Sequence, residues 1–389
     1  MLAQVIGGSL VVPAEATAVI DAIRSSRAGI DQSVAAFSRL DPAAQVEVCL
    51  QLSPAERHEL LTLVESPGAI VPLLPGAELA RTLRGVGLED AGWLLAHASP
   101  EQRVACVDLD CWHGSTFSRE RFREWLDAML EAGDETLLSA LRALDLSVWV
   151  VAIRDMVAPS LGETDDSFTE DGLFHFTATD GRDEDRMRAF IRITMSQEPE
   201  VYLGLVAALL NESTVDSEEL ALRWRAGRMA DAGFPDRDDA MLVYRPLAVA
   251  AVGPISRLVR RADGLGAILV APSAAASLEA ALRELPEERA LELARGWIAL
   301  SNMLAVADRL ELADPDTGRR CLEKAIRGIG TGVAAITERT GEPAAAVLAA
   351  QTPVDLFRVG LSIDPELRWL GAEDADPLHR ELLELFARP

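Results

Sequence analysis

The chain is nearly devoid of lysine: of 37 basic residues among 389, Lys324 is the only one that is not arginine. Arginine forms helices and bidentate ion pairs well, and genomic base composition alone can produce so strong a bias. Cysteine is also scarce. Four residues, Cys49, Cys106, Cys111 and Cys321, form no CxxC pair and are too few for a dense disulfide framework, which points to a reducing cytoplasm. No apolar run approaches the roughly 18–20 residues that span a bilayer; the longest, at 247–255 and 265–271, are short and broken by Gly or Pro. The N-terminus lacks the positive n-region and sustained h-region of a signal peptide. Positive charge is in deficit, with 62 acidic residues and a net charge of −25, a balance that disfavours the nucleic-acid backbone and anionic membrane.

What is present is apolar material, 49% of the residues, enough for one large core or two medium ones. Two domains is the expectation for this length, with a continuous helical solenoid as the alternative.

Helix starts are written plainly into residues 37–160. Asp41 followed by Pro42, Ser53 by Pro54, and Ser99 by Pro100 each place a capping side chain before a proline in the first turn, where its missing N–H costs nothing. Glu56 and Gln102 complete two capping boxes. The residues RFREWLDAMLEAG place Phe122, Trp125, Leu126, Met129 and Leu130 on one stripe, with Gly133 as C-cap. Beyond it, LLSALRALDLSVWVVAIRDMVA keeps helical spacing to Pro159, although the β-branched run 148–153 fits a buried strand equally well. Helices this short do not stand alone in water, so they must stack, and the recurring unit of about 10–15 residues predicts a right-angled or superhelical array.

Residues 163–185 break the pattern, with nine acidic residues against Arg182. Leu173, Phe174 and Phe176 predict a short strand or hairpin edge between two Asp-Gly turns. The domain boundary is expected near 160. The division is then an N-terminal extension (1–36), a helical-repeat domain (37–160), an acidic linker or small β insertion (161–186) and a second helical domain (187–389). In that last part every segment fits a period of 3.6, including the terminal DPLHRELLELFARP, apart from a strand candidate, GLGAILVAP, at 264–272. The fold class is mainly α, short helices in a superhelical or multi-helical array with at most a minor β element.

The segments VGLEDAGWLLAHASPEQRVACVDLDCW (86–112), FSRERFREWLDAMLEAG (117–133) and GFPDRDDAMLVYRPL (233–247) together resemble an uncharacterised bacterial domain-of-unknown-function family over most of residues 40–385. The first half is also similar to the helical repeats of the magnesium transporter cytoplasmic N-terminal domain and the flagellar motor switch middle domain. These resemblances imply a stacked-helix architecture and supply no catalytic residue.

Candidate sites are weak. Cys106, Asp108, Asp110, Cys111 and His113 are all possible ligands for zinc or a soft metal, but C-x4-C-x-H is not a closed structural zinc pattern, and one helix would aim them in different directions. Cys106 reads as a small buried hydrophobe, Asp110 as an N-cap or turn residue and Trp112 as a core plug. Asp165, Asp166, Glu170 and Asp171 near Gly172 invite a calcium reading, yet the EF-hand register fails; a solvated linker or an acidic surface for a basic partner accounts for them. His97 and His175 have no sequence-evident partner, and His175 should face solvent opposite Phe174 and Phe176. GLGAIL at 264–269 and GIGTG at 328–332 lack the dinucleotide fingerprint. Arg223, Arg225 and Arg228 around Trp224 read as internal salt bridges and snorkelling side chains.

With no cofactor expected, the sequence points to a non-enzymatic scaffold or regulatory adaptor acting through protein–protein contacts. The acidic charge suits a basic protein partner, with no nucleic acid and no membrane insertion. An enzyme with an acidic site at the domain junction and a divalent-cation sensor are the alternatives. The oligomeric state is not legible.

Overall fold

A computed structural model describes residues 14–25, 31–164, 166–169, 171–252 and 275–367. The terminal DPLHRELLELFARP and the strand candidate at 264–272 lie outside them. The architecture is mainly α-helical, with two small two-stranded antiparallel sheets among the described residues.

The expected helix starts form as local chemistry dictates. The Asp41 carboxylate accepts from the backbone N–H groups of Ala43 and Ala44 at 3.0 and 3.1 Å to open helix Pro42–Gln51. Ser53 and Ser99 close reciprocal capping boxes with Glu56 and Gln102, opening Pro54–Leu63 and Pro100–Asp110. Gln102 also ties the preceding turns to its helix, its Nε2 donating to the carbonyls of Val71 and Leu74 at 2.7 and 2.6 Å.

The chain packs as two units, the first comprising Ala18–Ala232 with Ala313–Pro315 and the second chiefly Gly233–Leu312 and the chain from Asp316 onward. The division therefore falls at 232/233 and not near 160. The acidic stretch supplies the reason. It folds back as a hairpin in which Val157–Ser160 pairs with His175–Ala178, and Phe168 and Phe176 enter the core of the first unit. A small β insertion was one of two expectations for this stretch, an acidic linker the other; its membership of the first core was not expected, because its buried aromatics are hidden among carboxylates.

One reading left open is decided here, and the expectation of a helix running on to Pro159 is corrected. Residues 134–153 form two helices, Asp134–Ala143 and Leu146–Ile153, bent by 117° at the Leu144–Asp145 junction. The β-branched run is helical, and residues 147–153 are all buried. Helices Pro199–Asn211 and Thr214–Asp231 both pack on it, and burial all round overrides strand propensity. Pro159 ends no helix; it sits in the strand opposite Phe176. Both backbone groups of Phe176 are spent on Phe168, at 2.8 Å each, so Pro159 occupies a position where no N–H is required.

The first unit is threaded by aromatic rings: Trp112, Phe117, Phe122, Trp149 and Phe190 follow one another at centroid separations of 5.0, 5.7, 5.4 and 5.3 Å. These contacts join the small hairpin Trp112–His113/Thr116–Phe117 to helices Arg119–Glu131, Leu146–Ile153 and Glu184–Gln197.

The second unit centres on helices Glu287–Ala307, Pro315–Thr340 and Pro353–Ile363. The glycines at 328–332 are a packing surface. A Cβ on Gly332 would overlap the Leu356 carbonyl, one on Gly328 would strike the Phe357 ring, and Gly360 lies equally close to the Gly328 backbone. Glycine on both sides is what lets two helix backbones approach so closely.

Candidate functional site

The residues 106–113 are split by the fold and do not converge. Cys106 and Cys111 are fully buried, and desolvation pushes both thiols above their ordinary range. The Asp108 carboxylate is 2% exposed and is gripped by Arg228 through Nε and Nη2 at 2.6 and 2.9 Å; burial raises its pKa while Arg228 pulls it back. Arg228 also bonds Asp145. Arg225 donates to the Asp108 carbonyl at 2.8 Å and lies over the Trp112 ring at 5.3 Å, and burial lowers its pKa to about 10. Asp110 is no N-cap: it ends helix Pro100–Asp110, where it accepts from Trp125 Nε1 and pairs with Arg84, each at 2.7 Å. Trp112 is buried as expected, whereas His113 is exposed.

Of the acidic candidates, Asp165 and Glu170 lie outside the described residues and Asp166 is exposed. Asp171 organises its own turn. One carboxylate oxygen accepts from the N–H groups of Leu173 and Phe174 at 2.8 and 2.9 Å, and the other accepts from the Tyr202 hydroxyl at 2.6 Å. Partial burial acts to raise the Asp171 pKa, but these hydrogen bonds outweigh it and hold the carboxyl below its usual range. Among the described residues no three His, Cys, Asp or Glu side chains converge to hold a metal ion. His97 is half-buried beside Trp93, with ring centroids 5.8 Å apart. His175 is also half-buried and so does not stand out into solvent as expected.

Two features went unread in the sequence. The first is a buried polar cluster in the second unit. Asp308, directly after helix Glu287–Ala307, accepts from the Tyr244 hydroxyl at 2.6 Å and from Lys324 Nζ at 3.0 Å. Lys324 Nζ also donates to the Tyr244 oxygen, 4.8 Å from the centre of that ring. Burial lowers the Lys324 pKa against the pull of Asp308, and burial together with the Asp308 charge raises that of Tyr244 far above its ordinary value. The signal that could have found it is the solitary lysine.

The second is a pair of outward apolar stripes in the first unit, one on each of two helices. Helix Pro199–Asn211 presents Leu203, 55% exposed, and Leu210, 42% exposed, seven residues apart on one side with Ala207 between. Helix Thr214–Asp231 presents Leu220 at 44% and Trp224 at 53%, four residues apart. Each helix buries its opposite face on Leu146–Ile153, so these side chains are surplus to the core. Glu200, Asp216 and Glu219 border them, exposed.

Residues 35–375 match the model of a family of unknown function, DUF6178. The chain belongs to that family. No curated protein and no solved structure matches it, and nothing in these comparisons joins it to the magnesium transporter or flagellar motor switch domains.

Proposed function

We propose that this protein is a non-enzymatic scaffold or regulatory adaptor, working in the cytoplasm through protein–protein contacts. The observation that carries the reading is the two exposed apolar stripes, Leu203 with Leu210 on one helix and Leu220 with Trp224 on another. Scattered exposed leucines are ordinary, but aligned apolar residues on helices whose other sides are already buried are the usual form of a contact surface. Tryptophan is among the residues that most often dominate binding energy. The acidic border and the net charge of −25 favour a basic partner by steering and by complementarity. No single described helix is long and apolar enough to cross a membrane.

The test is crosslinked affinity purification from native cells, comparing the wild-type chain with Leu203→Glu/Leu210→Glu and with Trp224→Glu. A stoichiometric partner held by the wild type and lost from the variants, with melting temperatures unchanged, is the expected result. A partner retained equally by all three, or none at all, overturns the reading.

A further inference from the structure

Every basic residue but one in this chain is arginine, and the exception is buried. Its side chain is 6% exposed and that of its partner Asp308 is 0% exposed. If the position required only a cation opposite a carboxylate, arginine would serve with more donors, as it does for the buried Glu78, which Arg57 and Arg81 hold at 3.0 and 2.7 Å. What lysine alone adds is an amine that can release its proton and bond to carbon.

We propose that Lys324 is a reactive amine that holds a small uncharged aldehyde as a protonated imine, with Asp308 as its counter-ion and Tyr244 as the proton relay. The step balances without any further reagent. The ammonium yields a proton through Tyr244, the free amine adds to the carbonyl carbon, and the carbonyl oxygen leaves as water with two protons from the original ammonium. The product is an iminium that keeps the third proton and the single positive charge. Asp308 therefore faces a cation both before and after the exchange, which matters because an unpaired buried carboxylate is costly. Tyr244 is placed for the relay, since its hydroxyl already accepts from Nζ and donates to Asp308. Burial favours the neutral amine, in keeping with the lowered Lys324 pKa. The slight exposure of the side chain limits the ligand to a few heavy atoms, and a negatively charged carbonyl compound would be repelled by Asp308. This site belongs to the second unit and the proposed contact surface to the first, and each stands or falls independently of the other.

The experiment is reductive trapping of the full chain with acetaldehyde and cyanoborohydride at neutral pH, with the modified peptide located by mass spectrometry. Because the chain has one lysine, side-chain labelling is read at one position. The expected result is ethylation at Lys324 severalfold faster in the folded protein than in the urea-unfolded chain, slow labelling by the bulkier benzaldehyde, and no side-chain adduct in Lys324→Arg. Labelling of Lys324 that is slower folded than unfolded, the outcome for a merely buried lysine, overturns the proposal without reliance on any variant.

Discussion

At the scale of single residues, the polar side chains of the core owe their state to what they touch. Asp108 and Asp110 are two residues apart yet engage different arginines, Arg228 and Arg84. The four cysteines form no disulfide and are buried, and desolvation lifts the Cys49 thiol to about 12 and those of Cys106 and Cys111 upward as well. A thiol reacts as its thiolate, so at pH 8 these three groups are protonated as well as shielded. Native protein mixed with Ellman's reagent should show no fast-reacting thiol, and the denatured chain should show all four. A rapid native fraction would mean that the helix Pro100–Asp110 or Pro42–Gln51 opens far more readily than its packing implies.

At the scale of elements, the close crossing of Pro315–Thr340 and Pro353–Ile363 sets the position of Lys324, which lies one turn before Gly328. Alanine is the better helix former by about 1 kcal/mol, but at Gly332 its methyl would overlap the Leu356 carbonyl. The steric term should win: Gly332→Ala is expected to lose about 3 kcal/mol or more in urea unfolding. At Gly227, within Thr214–Asp231, an added methyl would meet nothing within 4 Å, so Gly227→Ala should gain roughly 0.5–1 kcal/mol. Helices that begin at Asp41, Ser53 and Ser99 were legible because a cap needs only residues three or four apart. The helix across 148–153 was not, because its β-branched residues favour strand locally and only the helices packed around them settle the matter.

At the scale of the whole molecule, the excess of negative charge works against compactness. Many of the ion pairs are exposed and are worth little individually, whereas repulsion among 25 uncompensated charges acts at long range. Raising ionic strength from about 0.01 M to about 0.15 M shortens the screening length from about 30 Å to about 8 Å, and the melting temperature should rise. A fall would show that the surface ion pairs outweigh the repulsion.

The sequence by itself determined the helical class, the main helix starts and the role of Trp112 as a buried plug, all of which follow from short-range pattern and composition, and it left the acidic stretch open between a linker and a small β insertion. Tertiary structure alone decided that Phe168 and Phe176 carry that insertion into the first core, that the units divide at 232/233, that glycines 328 and 332 serve a helix crossing, and that Tyr244, Asp308 and Lys324 meet. Spacings of 64 and 80 residues separate Tyr244 from Asp308 and Lys324. No periodicity reaches so far; only the packing of helices, driven by apolar burial, brings such residues within hydrogen-bonding distance.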